Sequence, residues 1–169
     1  SNPSHAGMLP YDHTMTDIVV SGDYAYVTAW SQGLRIIDVS DPINMFEQGY
    51  CVIPDAGYAT MLDLVGDYAY VAAGGGLRII DIHDPTSPTE DGYYSTPGSA
   101  EGVAVAGDYA YVADWHSPGF CVIEIADPGN PVVVGSEGTV GLTPAACNCR
   151  QKPGASAAGR MISKPSSPV

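Results

Sequence analysis

Two carboxylates three residues apart, with proline directly after the second, occur at three places in the sequence: Asp38 and Asp41, Asp81 and Asp84, Glu124 and Asp127. Clustered carboxylate and carbonyl oxygens are the chemistry that holds a hard cation, so these six are the candidate metal residues and Ca²⁺ the candidate ion. No other cofactor is implied. The same residues also suit turn formation, since Asp before Pro readily starts a turn, and turn residues spread along a chain need not converge on one point.

A second group could bind an uncharged or peptide ligand. Trp30 and Trp115 each present a flat apolar face with one donor, which suits contact with a sugar ring or a peptide. His116 follows Trp115, and Tyr58 and Glu101 lie where they could border the same surface. These five are the candidate ligand-binding residues, and the competing reading is that each Trp merely seals a gap over a neighbouring element. Catalysis has less to work with. The histidines are His5, His13, His83 and His116, and no H-E-x-x-H, G-x-S-x-G or phosphate-loop pattern occurs. The Gly74–Gly76 run lacks a following Lys and helix start, which argues against phosphate binding. The expectation is a non-enzyme with no catalytic residues.

Composition narrows the partners. The 169 residues include 19 Asp and Glu against 6 Lys and Arg, a formal charge of −13. Phosphate neutralisation needs clustered cations, so nucleic acid is not an expected partner. No run approaches the ~18 apolar residues of a membrane span, and Ser1 to Thr14 shows no signal-peptide pattern. Cys51 and Cys121 sit in apolar, strand-like segments and read as buried thiols. Cys147 and Cys149, as C-N-C, lack the paired spacing of a zinc site.

Internal repetition organises everything else. G-D-Y-A-Y-V occurs unchanged at 22–27, 66–71 and 107–112, in steps of 44 and 41 residues. A second block follows each copy: G-L-R-I-I-D-V-S-D-P at 33–42, G-L-R-I-I-D-I-H-D-P at 76–85 and G-F-C-V-I-E-I-A-D-P at 119–128, in steps of 43 and 43. Each unit predicts four short strands. Alternating apolar residues (Ile18 and Val20, Leu62 and Leu64, Val103 and Val105) mark the first, and Gly-Asp makes a tight turn. Y-A-Y-V-A is the second, with apolar residues on both faces. The third is stopped by Asp-Pro, and weaker fourth strands lie at 46–53, 92–96 and 132–135. Helical periodicity is nearly absent.

Four antiparallel strands in about 43 residues, repeated, predict propeller blades covered on both faces by their neighbours; a β-solenoid is the runner-up. The two repeated blocks resemble the LVIVD repeat of bacterial and archaeal surface and secreted proteins, over about residues 13–138. The resemblance implies a β-propeller and an extracellular or cell-surface location, and it carries no catalytic residues. The third copy departs from it at Phe120, Cys121 and Glu124, where the others have Leu, Arg and Asp.

The expected layout is an N-terminal extension (1–12), blades at 13–56, 57–97 and 98–138, and a disordered tail at 139–169. All 19 acids lie at or before Glu137 and four of the six cations in the last 20 residues, so residues 1–149 carry −17 and residues 150–169 carry +4. That shift, with much Pro, Ala, Ser and Gly, marks a disordered segment, a linker or sequence of different origin. Three blades form an incomplete ring with two open ends, which implies a longer propeller or self-association. The functional expectation is a non-catalytic binding or scaffold module of a bacterial secreted or cell-surface protein. The alternatives are a lectin-like propeller using the Trp residues, and part of an enzyme whose site needs further blades.

Overall fold

The computed structural model describes residues 7–53, 58–115 and 119–137. His116, Cys147, Cys149 and the 139–169 tail named above lie outside the described residues.

The described chain is all β apart from one 3₁₀ turn at Trp30–Gln32. Blade 1 contains β1 (Asp17–Ser21), β2 (Tyr24–Ala29), β3 (Gly33–Asp38) and β4 (Phe46–Cys51). Blade 2 contains β5 (Ala59–Val65), β6 (Tyr68–Ala73), β7 (Gly76–Asp81) and β8 (Thr89–Ser95). Blade 3 contains β9 (Ala100–Ala106), β10 (Tyr109–Asp114), β11 (Phe120–Glu124) and β12 (Val132–Glu137). Each sheet is an antiparallel meander in chain order, as the repeats predict. The fourth strands differ from expectation only in their limits. The sheets follow one another without closing a ring.

Local chemistry explains the meander. Gly22, Gly66 and Gly107 have φ of 59, 58 and 60°, the left-handed conformation that a two-residue hairpin requires and that glycine adopts without strain. The Asp after each glycine then accepts, at its carbonyl, the N–H of Val39, Ile82 or Ile125, each at 2.8 Å. This ties the Gly-Asp turn to the end of the third strand, so the Gly-Asp and Asp-Pro turns share one end of every blade. The other end holds the second-to-third loops and the inter-blade linkers, joined by Gly74 N–H to Tyr58 O (3.1 Å) and Trp115 N–H to Ser99 O (2.8 Å).

The period-2 alternation of Y-A-Y-V becomes the packing rule of the stack. Tyr26, Leu34 and Ile36 of blade 1 pack against Ala69, Val71, Ala73 and Ile80 of blade 2. Tyr70, Leu77 and Ile79 on blade 2's opposite face pack against Ala110, Val112, Cys121 and Ile123 of blade 3. A tyrosine-bearing face thus always meets an Ala/Val face. First strands are further joined by Thr16 Oγ1 donating to Ala59 O (2.7 Å) and Thr60 Oγ1 to Ala100 O (3.3 Å). Asp17 and Asp63 carboxylates accept N–H groups of Leu62 and Val105 in the following blade.

The alternation predicted for the first strands holds unevenly. Leu62 and Val103 are buried, whereas Ile18 and Val20 are exposed, because among the described residues no sheet packs on that side of blade 1. Cys51 and Cys121 are buried as expected. Burial pushes the Cys51 thiol up, which keeps it protonated and unreactive.

Candidate functional site

The candidate metal residues are engaged locally. Asp38 Oδ1 accepts from Ser40 N–H at 2.9 Å and from the Ser40 hydroxyl, and Asp81 Oδ1 accepts from His83 N–H at 2.8 Å. Asp41 holds Ile43 N–H and the Asn44 side-chain amide; Asp84 holds Thr86 N–H and hydroxyl; Asp127 holds the Asn130 side-chain amide. These are Asx turns, in which a carboxylate replaces a backbone acceptor. Hydrogen bonding to the charged form holds Asp38 (from the Ser40 side chain first), Asp41 (from Asn44) and Asp84 (from Thr86) below the ordinary carboxylate range. Glu124 ends β11 and is exposed. Among the described residues no three His, Cys, Asp or Glu side chains group as a metal set. The His83 imidazole makes an exposed contact with Asp67, at 3.6 Å.

At the opposite end the structure brings two candidate ligand residues together. Trp30 and Tyr58 stack with ring centroids 4.0 Å apart and an interplanar angle of 27°. Both stay accessible, at 40% and 52% exposure. Trp30 has φ 26°, and it is the one described non-glycine residue at positive φ. Gly74, at the equivalent position of blade 2, does not share this positive φ. Holding a tryptophan there costs about 1–3 kcal/mol and requires surrounding structure to fix it.

That fixing comes from the 3₁₀ turn. Gln32 Oε1 accepts from Arg35 Nη2 at 3.1 Å, so Arg35, on the central strand β3, anchors the loop that carries Trp30. Trp115 occupies the corresponding loop of blade 3 and is 75% exposed, and among the described residues no ring stacks on it. Glu101 lies at the start of β9, where its carboxylate accepts from the Ser99 hydroxyl at 3.0 Å. The structure therefore pairs Trp30 with Tyr58 and leaves Trp115 and Glu101 as separate features of the same end.

The structure also shows a cluster that the sequence reading did not single out. Arg35 Nη1 lies 3.3 Å from both Glu47 carboxylate oxygens, and its guanidinium centre lies 4.6 Å from the Tyr50 ring centroid. Blade 2 repeats this with Arg78 on Glu90 at 3.1 Å and over Tyr93 at 3.6 Å. Tyr93 hydroxyl in turn donates to Gly75 O at 2.7 Å, fastening the second-to-third loop of its blade. Blade 3 replaces all three residues together, with Cys121, Val133 and Ser136 at the corresponding positions. Arginine and glutamate stand 12 residues apart in both blades. That shared spacing, with the joint loss in the third copy, was the available sequence signal.

These ladders and paired faces repeat at the period of the two sequence blocks. The family model of the LVIVD repeat matches residues 14–52, 56–96 and 97–139. The chain belongs to the LVIVD-repeat family. Its three matched segments coincide with the three sheets, so each LVIVD repeat here is one four-stranded blade. No curated protein matches the chain.

Proposed function

We propose that this LVIVD-repeat chain is a non-catalytic binding module of a bacterial secreted or cell-surface protein, and that ligand is taken at the end of the blades carrying Trp30 and Tyr58. The single observation carrying this reading is the exposed Trp30–Tyr58 stack on a strained backbone. Strain persists only where the surroundings impose it, and functional surfaces are where it concentrates. With one face of each ring covered by the other, the stack presents its outer faces and polar edges, suited to a pyranose face or an extended peptide. A rigid sheet stack beneath lowers the ordering cost of binding.

The carbohydrate reading is favoured over the peptide one because an accessible indole face beside an accessible phenol suits the apolar face and the hydroxyls of a sugar ring. Its test is a glycan array and a peptide array probed with the full chain, followed by titration of the best hit. Trp30→Ala and Tyr58→Ala should each weaken that hit at least tenfold with the fold retained by circular dichroism. Binding unchanged in Trp30→Ala, or no hit on either array, would sink the proposal.

A further inference from the structure

The two ends of the stack are complementary. Blade 1 turns an Ala/Val face away from blade 2, built on Ala25, Val27 and Ile37. Blade 3 turns a tyrosine face away from blade 2, with Tyr109, Tyr111, Phe120 and Val122 at the positions that Tyr24, Tyr26, Leu34 and Ile36 hold in blade 1. Leu34 and Leu77 are fully buried at the two internal junctions, whereas Phe120, at their position, is 39% exposed, and Tyr109 is exposed where Tyr24 and Tyr68 are half-buried. The same contact that joins blade 1 to blade 2 and blade 2 to blade 3 is thus available between copies, head to tail.

The outer face of blade 1 is not bare. Residues 7–15 run across it and, with Ile18, Ala25, Val27, Ile37 and Val39, line an open apolar hollow of about 430 Å³. The seating of that segment follows a rule set by the glycines. Gly49 in β4 lies so close to Pro85 O of blade 2 that a Cβ would collide with the carbonyl, and Gly92 in β8 meets Pro128 O of blade 3 in the same way. Gly7 meets Pro42 O of blade 1 identically. Positions 7, 49, 92 and 135 are spaced by 42, 43 and 43 residues, so Gly7 is in register with the fourth-strand glycines. The Tyr11 hydroxyl donates to Glu47 and fastens the segment. A fourth strand is therefore imitated without its sheet, and the hollow lies where the sheet's tyrosine face would pack.

Gly135 completes the series in the opposite sense. It is the fourth-strand glycine of β12, and among the described residues a Cβ there would meet only Val122, at 3.8 Å. We propose that the outer face of blade 1 is the docking seat for blade 3 of a second copy, that Gly135 of that copy takes the place against Pro42 O, and that residues 7–11 are a built-in plug which must leave for docking to occur. Two copies bring six of these blades, within the ~4–8 of closed propellers.

Two glycine substitutions separate the parts of this proposal. Gly135→Ala adds a methyl group that the isolated chain accommodates and the docked state cannot, so it should abolish association while leaving thermal stability unchanged. Gly7→Ala unseats the plug, so it should promote association. The measurement is mass by light scattering after size exclusion, over micromolar to several hundred micromolar full-length chain. The expected result is a parent mass that rises with concentration, a Gly7→Ala midpoint at least fivefold lower and a monomeric Gly135→Ala. Parent and Gly7→Ala both remaining monomeric would overturn the proposal and leave the seat to strands of another polypeptide. Association that survives Gly135→Ala would overturn the assignment of β12 to the seat. Loss of association in Gly7→Ala would overturn the plug, since residues 7–11 would then be part of the docked state.

Discussion

Blade 3 carries Cys121 and Val133 where blade 2 carries Arg78 and Glu90, and this natural replacement makes a quantitative prediction about the buried ion pair. The side chains of Arg78 and Glu90 are 7% and 26% exposed. Removing one partner of a buried pair costs about 3–5 kcal/mol in fully enclosed cases, because the remaining charge is left without compensation. Partial access of Glu90 to water lowers that figure here. Glu90→Val takes the carboxylate from the more buried guanidinium, which keeps its contact with the Tyr93 ring, and should cost about 2–4 kcal/mol. Arg78→Cys strands the more accessible carboxylate, at about 1–2 kcal/mol, and also removes the Arg78–Tyr93 contact, worth about 1 kcal/mol. The double variant reproduces the blade 3 pairing, leaves no buried charge, and should lose only about 1–2 kcal/mol in total. The coupling energy is then about 3–5 kcal/mol in favour of the double variant. Urea unfolding of all four proteins, compared at equal m-values, measures it. Additivity within ~0.5 kcal/mol, or a double variant less stable than either single one, would refute the argument that the pair is held by mutual compensation.

Other expectations follow from the turns and the blade contacts. Asp38, Asp41 and Asp84 have folded pKa values below their unfolded ones, so their contribution is present above the unfolded pKa of ~3.9 and lost as pH falls through the lowered values. The melting temperature should therefore drop on acidification below about pH 4, and Asp41→Asn should make that drop shallower; an unchanged slope counts against the Asx-turn account. Tyr11 is pushed up to about 12 by burial, then by its hydrogen bond and proximity to Glu47. A raised tyrosine stabilises fully below its unfolded value of ~10 and loses that contribution as pH rises through the folded one. Burial also pushes Tyr26 and Tyr70 up, so ultraviolet phenolate titration should show a late phase whose amplitude Tyr11→Phe reduces by one tyrosine. Gly92→Ala places a methyl group against Pro128 O and should cost about 1–3 kcal/mol as overpacking, measured by thermal unfolding; a change under ~0.5 kcal/mol would contradict the close blade contact.

Much of the blade was legible because its determinants are local. Gly22, Gly66 and Gly107 specify left-handed turns, Asp-Pro ends each third strand, and Y-A-Y-V apolar on both faces requires a cover on both sides. The aromatic platform was half legible. Trp30 and Tyr58 are recognisable as residue types, but their stacking depends on the 3₁₀ turn that Gln32 and Arg35 hold, a contact between side chains whose directions no spacing states. The Arg–Glu pairs escaped notice because an arginine inside an apolar block looks like a solvated interruption until the fourth strand brings a carboxylate over it.

The sequence by itself determined the repeat, its period, its strands and the end of each blade at which every turn lies, since these follow from backbone preferences and alternation within a few residues. Tertiary structure alone decided which faces meet, which charges are buried together, and that Gly7 belongs to the same series as Gly49 and Gly92. The physical reason is that a glycine chosen for closeness to another strand's carbonyl leaves no local signature: the need for it arises only when two blades come within contact of each other.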